Sequence, residues 1–315
     1  MTTEWLKQMA RLYLPVYQYE SETIRIVYAG YSSIKKNYYV RLILGRSNHP
    51  IFLGRRWFWE MPDLIKSYNL DMVIAEISPI ALNYFQKYNG YIVPEWATMK
   101  INIDRPMSEI CKDSVTDFSN VTRRIRKYNL TYEILTDIES FNYFNDKIYV
   151  PFITKRHREE AWIDDLTKIW KLSPAPVLMA IREDGVIVGG SLIRKSGDSL
   201  SLMRLGLLDG NEEYLHHGVI GALYYFGILE GKKMGCQYFD VGGTRPFLTD
   251  GLTKYKMGLG AEFVSDLSPG KEYLWLGINE GSSAAQEFMH SVMHINKEYK
   301  LVRFGTKPQP CSATP

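Results

Sequence analysis

Short apolar and aromatic runs bounded by turn-forming residues recur along this chain, and their spacing predicts its elements. In the first hundred residues, ETIRIVYAGY (22–31) and NYYVRLILG (37–45) are rich in β-branched and aromatic residues and predict strands. A short helix is expected before them, over 3–14. RRWFWEMPDLIKSYNL (55–70) predicts a helix interrupted or started near Pro62, and DMVIAEIS (71–78) a buried strand, too short and too apolar for a helix. PIALNYFQKYNG (79–90) predicts a helix closed by Gly90, and YIVPEWATMKINID (91–104) a strand in which Pro94 marks an edge or bulge.

Residues 105–130 are polar, have helical spacing and carry four basic residues between Arg123 and Lys127, which predicts a connecting helix. TYEILT is a strand, and FNYFNDKIYVPFITKRHREEAW (141–162) gives one or two helices. VLMAIRED and VIVGGSLIRKSGD form a hairpin turning at Gly185, with a bulge signal at Gly189 and Gly190. SLSLMRLGLLDG is the next strand, YLHHGVIGALYYFGILEGKKMG (214–235) a helix, CQYFDVGG (236–243) a buried strand and LTDGLTKYKMGLG (248–260) a short helix. AEFVSDL and KEYLWLGI are expected to close the sheet. Strands alternate with helices in both halves, an α/β (α+β) pattern in which the two halves run through similar orders. The expected division is a first domain over 1–130, including the basic connecting helix, and a second over 131–305. The tail 306–315, rich in Pro, Ser and Thr, is expected to be disordered.

At 315 residues the chain exceeds a usual single domain, and 45% hydrophobic with 23% charged residues is ordinary globular usage. A formal charge of +3 gives no general attraction to nucleic acid or membrane, so any basic patch must be local. Cys111, Cys236 and Cys311 form no CxxC pair and no metal-ligand spacing, which points to a reducing compartment and to no metal. The N-terminus lacks the apolar core of a signal peptide, and no run of 18 apolar residues occurs, so the expectation is a cytoplasmic protein without an integral membrane segment. GxSxG, HExxH, Walker and Rossmann signatures are absent, which removes support for hydrolytic and nucleotide-loop chemistry.

The segment CQYFDVGGTRPFLTDGLTKYKMGLGAEFV resembles that of Fem-type aminoacyltransferases and the related CelD-like GNAT proteins. There a strand ending in Asp and glycines leads to a helix carrying a Lys before a Gly-rich turn. FSNVTRRIRKYNLTYEI resembles the basic helix preceding the catalytic half in these families, and IREDGVIVGGSLI their first hairpin. The likeness covers roughly 117–265, and the first hundred residues follow by element order. It implies two GNAT-like domains, each a mixed, mainly antiparallel sheet flanked by helices. It also implies transfer of an acyl group from acyl-CoA or a similar thioester to an amine, that of a cell-envelope sugar or peptide precursor being one acceptor. Aminoacyl-tRNA-dependent transfer is the alternative, and a non-catalytic GNAT-like binding protein is a second. No DNA partner is implied. The chain departs from the GNAT pyrophosphate loop, Q/RxxGxG/A: the corresponding junction reads EYLHHGVIGAL, with Gly218 and Gly221 three apart and no Arg or Gln at the usual place.

On this resemblance Lys256 is expected to stabilise the oxyanion or the donor ester, against the plain alternative of a solvated helix lysine beside Lys254. Asp240, at the carboxyl end of a strand, could orient the amine or take its proton, or merely cap the diglycine turn. Gly218 and Gly221, with Leu205 and Leu207 on the preceding strand, are assigned to the donor, though packing of small residues also accounts for the glycines. Arg245, Gly242, Gly243 and Tyr255 are assigned to substrate, Arg245 by its planar fork or else only by a surface salt bridge. Arg123 and Arg126, with Arg124 and Lys127, form a cluster suited to phosphates or else a solvated face. His157 is a candidate base or a structural residue, and the adjacent His216 and His217 point about 100° apart on a helix, so they do not easily share a metal.

Overall fold

The architecture is that of a computed structural model, which describes residues 12–45, 49–114, 118–157, 163, 165–264, 272–296 and 300–305. Its strands are β1 (Tyr13–Glu20), β2 (Arg25–Ala29), β3 (Ile51–Trp57), β4 (Met72–Ile77), β5 (Gly90–Pro94), β6 (Ala97–Asn102), β7 (Thr131–Leu135), β8 (Val177–Glu183), β9 (Val186–Ser196), β10 (Ser199–Leu207), β11 (Tyr238–Thr244), β12 (Glu262–Val264), β13 (Tyr273–Ile278), β14 (Met293–Ile295) and β15 (Leu301–Arg303). They form two mixed sheets flanked by helices, an eight-stranded one in the order β15-β14-β5-β13-β4-β2-β1-β3 and a seven-stranded one in the order β12-β6-β11-β10-β9-β8-β7.

The chain divides into two compact units at places the sequence did not mark. The first comprises 1–97, 245–253 and 264–315, the second 98–244 and 254–263. The expected boundary near residue 130 is therefore corrected. The stretch read as one strand, YIVPEWATMKINID, is two strands in different sheets, β5 and β6, so the crossing falls at the edge of β6. KEYLWLGI likewise does not close the second sheet: β13 lies between β4 and β5 at the heart of the first, antiparallel to both. All six of its residues are buried, and an apolar strand buried on both faces fits only a sheet interior. AEFV does close the second sheet, as β12.

Within the first unit β2 and β4 pair in parallel, and their buried residues meet those of β13 and of helix α1 (Ser33–Leu44). That helix corrects the strand expected over 37–45. Ser32 caps it by accepting from the Lys35 amide at 3.2 Å, and Gly45 ends it at φ 73°, so cap chemistry at the two ends of a twelve-residue helix overrides the β-favouring side chains between. The helix expected over 79–90 shortens to single turns, Pro79–Ala81 and Leu82–Phe85, and Gly90 opens β5 instead of ending a helix. A side chain at 90 would lie 2.4 Å from the buried Trp275 indole nitrogen, which is why glycine stands there. RRW, expected in a helix, ends β3; the helix begins at Met61 with Pro62 in its first turn. The helix expected over 3–14 falls largely outside the described residues, Tyr13 and Leu14 belonging to β1, and the tail 306–315 falls wholly outside them.

The second unit follows the expected order closely. The hairpin β8–β9 carries its bulge beside Gly189, where the register slips between Ile181 and Arg182, and β10 pairs antiparallel to β9. Helix α2 (Phe118–Lys127) is the basic helix. The long helix expected over 214–235 is broken: Gly218 at φ 90° ends α3 (Glu212–His217) and opens α4 (Val219–Lys233). Helix α4 lies on the sheet with Val219, Leu223 and Ile228 buried, and its Gly227 sits on Phe239 of β11. Helix α5 (Gly251–Gly258) precedes β12. Because a Cβ at 227 would stand 2.4 Å from the Phe239 ring, Gly227→Val should lower the unfolding free energy by about 1–3 kcal/mol, read from the denaturant midpoint.

Candidate functional site

Strands β10 and β11 run parallel and pair over only three residues, Ser199 with Tyr238, Leu200 with Phe239 and Ser201 with Asp240. Beyond these, β10 continues to Leu207 and β11 to Thr244 with no further residue of one strand paired to the other. The sheet forks at its carboxyl end, the place where an open α/β sheet admits a ligand. On the far side β10 stays bonded to β9 as far as Leu207, which pairs with Gly189, so it is the contact with β11 that is given up.

Local chemistry around β11 accounts for the parting. Asp240 accepts from the Gly242 amide at 2.8 Å and from the Ser201 hydroxyl at 3.4 Å, a turn closed by its own side chain. Gly242 then takes φ 77°, open to glycine at little cost. The Lys256 ammonium donates to the carbonyls of Gly243 at 2.8 Å and Gly242 at 3.2 Å. Lys256 is 4% exposed, so the plain reading of a solvated helix lysine is corrected: its charge is spent on backbone oxygens inside the protein. Asp240 does cap the diglycine turn, and both of its oxygens have partners.

At the start of α4 the donor glycines meet helix α2. A Cβ at Gly218 would lie 2.8 Å from Arg124 Cδ, and one at Gly221 would lie 3.0 Å from Val121. These glycines thus make room for a neighbouring helix rather than leaving an open phosphate cradle, and the space above the helix start is taken by an arginine side chain. Tyr255 belongs to the same neighbourhood. Its ring meets Tyr224 edge-on at 5.6 Å, and burial pushes its hydroxyl up to about 12 while the Arg124 charge pulls the other way. Arg124 is the residue that sequence reasoning underweighted in favour of Arg123 and Arg126. Both of those are exposed on α2, Arg123 donating to Asn120 at 2.9 Å and Arg126 to the Thr122 carbonyl at 3.3 Å. Leu207 is buried in the core, and Leu205 is half-buried against it. His217 stacks on Tyr128 at 3.9 Å with Nδ1 3.0 Å from Glu183, while His216 is exposed. The side chain of His157 lies outside the described residues. Among the described residues no group of His, Cys, Asp and Glu could hold a metal ion.

Arg245 belongs to the first unit, with a constellation that sequence reasoning missed. Its side chain is 12% exposed and bonds Glu95 at 3.2 Å, so the salt bridge exists but is buried, not superficial. The guanidinium lies 4.6 Å from the Tyr38 ring centre and 4.4 Å from that of Trp96. Lys35 of α1 bonds Glu95 at 2.6 Å and also bonds Glu272. Burial, with the neighbouring Glu272 carboxyl, pushes Glu95 up to about 7 against the pull of Lys35. The one signal in the sequence was Glu95 between Pro94 and Trp96, a charge in an apolar run.

No family model matches the chain, and no curated protein does. Solved structures similar to it include FemX, at 12% identity over 84% of each chain with a TM-score of 0.46. Another is the C-terminal domain of a lysylphosphatidylglycerol synthetase, described as putative, from Agrobacterium fabrum, at 11% identity over 88% of this chain and 84% of that one, TM-score 0.42. A third is a GCN5-related N-acetyltransferase from Kribbella flavida, at 13% identity over 90% and 95%, TM-score 0.33. The likeness to each is one of fold.

Two expectations follow. Lys256→Ala leaves two carbonyls without their charged donor and should cost about 2–4 kcal/mol by chemical denaturation, with Lys256→Arg recovering part of it. Glu95 holds its proton more tightly folded than unfolded, so its contribution is full below about pH 4.5 and is lost as pH rises through about 7. Glu95→Gln should therefore flatten the fall in melting temperature across that window.

Proposed function

We propose that this chain is an N-acyltransferase, with the fork between β10 and β11 as the place where a donor carbonyl meets an acceptor amine. The single observation that supports this reading is the parting of the two parallel strands after Ser201 and Asp240. Beyond that point the two strands no longer pair with each other. Fixed backbone N–H groups at the mouth of such a fork can donate to an oxyanion as it forms, without reorganising. The acceptor nitrogen attacks the carbonyl carbon, the bond to the leaving group breaks, and with a thioester the nitrogen's proton leaves with the thiolate. In this reading Asp240 and Lys256 are positioning residues. They hold the diglycine turn at the mouth of the fork, since their polar atoms are already engaged with it.

The donor is proposed to be a thioester such as acyl-CoA, its phosphates met by the exposed guanidinium of Arg124 rather than by the amides at the start of α4, which its side chain covers. A second reading, aminoacyl-tRNA as donor, is favoured by α2 itself: Phe118–Lys127 carries Arg123, Arg124, Arg126 and Lys127 with no acidic residue, a footprint for a polyanion. The acceptor is proposed to be an amine of a cell-envelope sugar or peptide precursor.

Purified protein incubated with acetyl-CoA and a panel of amines should release free thiol in step with acylated product. Transfer from charged tRNA that RNase abolishes would select the second donor instead. Absence of transfer from both would leave a binding protein and overturn the proposal. With acyl-CoA, Arg124→Ala should raise the donor KM by about 10- to 100-fold at nearly constant kcat, the effect of one charged hydrogen bond to phosphate.

A further inference from the structure

The outer edge of the first unit's sheet carries a row of exposed rings that the acyl-transfer reading does not use. Among the described residues strand β3 is the last strand on that side, paired only to β1. Trp57 stands opposite Tyr13 with ring centres 4.9 Å apart, and Trp59 stacks on Trp57 at 4.8 Å with planes within 4°. Phe52 stands opposite Tyr17 at 5.3 Å, and Tyr31 closes the row by donating to the Tyr13 carbonyl at 2.6 Å. Phe52 is 56% exposed, Trp57 43% and Trp59 46%, values at which large rings face solvent together rather than singly.

The charges among them have one sign in excess. Arg55 lies over the Tyr31 ring at 5.6 Å, and Lys36 over the Tyr17 ring at 4.0 Å. Between Ile51 and Glu60 the only acid is Glu60, 4.0 Å from Arg56. A second copy adding to the same edge would need a regular ladder. Gly54 at φ 88°, within the register slip opposite Pro15 and Tyr17, interrupts it. Trp and Tyr rings mixed with basic residues suit instead the headgroup layer of a bilayer, where one end of each ring is wet and the other apolar. Among the described residues no helix is long and apolar enough to cross a membrane, so such contact would lie on the surface.

We propose that this edge docks the protein on an anionic lipid bilayer, with Phe52, Trp57, Trp59 and Tyr13 entering the headgroup layer and Arg55, Arg56 and Lys36 meeting its negative charge. The test is sedimentation of the full chain with phosphatidylcholine vesicles, with and without a quarter of phosphatidylglycerol. The pelleted fraction should rise with phosphatidylglycerol and fall at high salt. Trp57→Ser with Trp59→Ser should weaken binding about tenfold or more, from loss of buried apolar area. Arg55→Gln and Arg56→Gln should each weaken it about fivefold, the change that roughly 1 kcal/mol per basic residue gives. Tyr143→Ser, an exposed ring in the second unit, should change nothing. If the tryptophan variant loses its circular dichroism signal, the arginine variants decide alone. Sedimentation indifferent to phosphatidylglycerol, or unaffected by these substitutions, overturns the proposal. So does a concentration-dependent dimer that the tryptophan variant abolishes without any vesicle binding, which would assign the edge to a second copy.

Discussion

A buried ammonium bonded to two consecutive carbonyls is the constraint on which the second unit's site depends. Parallel strands left alone continue their ladder, because each unpaired N–H and carbonyl costs free energy away from water. In β11 the carbonyls of Gly242 and Gly243 are committed to Lys256, and the Gly242 amide to Asp240. The end of β11 is thus held in its turn by side chains of its own unit rather than by pairing to β10. A lysine suits this role, since its three donors sit on a compact head that reaches several acceptors at once.

The same accounting explains why the glycines cluster where they do. Gly242 is needed for its backbone angle. Gly218 is needed for its angle and for the arginine that crosses it, and Gly221 and Gly227 are needed for close approach of Val121 and Phe239. Position along the chain does not tell these causes apart. A glycine that cradles a phosphate and one that admits a helix look identical in sequence, and here α2 takes the space.

In the first unit a different economy operates. Lys35, Glu95, Glu272 and Arg245 are drawn from four separate stretches of the chain and neutralise one another, the first two and Arg245 largely buried and Glu272 partly exposed. Removing Lys35 or Arg245 leaves the buried Glu95 with less of its compensating charge, which makes the cluster a constraint on the segment 245–253 as much as a source of stability. Burial of Glu95 beside a second carboxyl makes that constraint sensitive to pH near neutrality.

The sequence by itself determined what is local. DMVIAEIS had to be a buried strand, IREDGVIVGGSLI a hairpin with a bulge near its glycines, and CQYFDVGG a buried strand, because periodicity and turn residues act within a few positions. Caps were equally local but less conspicuous, and NYYVRLILG became a helix because Ser32 and Gly45 outweighed its β-favouring interior. Only the tertiary structure decided which sheet KEYLWLGI entered and where the units divide. It also decided that Arg124 crosses Gly218, that Lys256 turns inward, and that Arg245 meets Glu95. Each of these joins residues far apart in sequence, and their pairing is selected by burial and charge neutralisation, which act on proximity in space and leave no spacing in the chain to read.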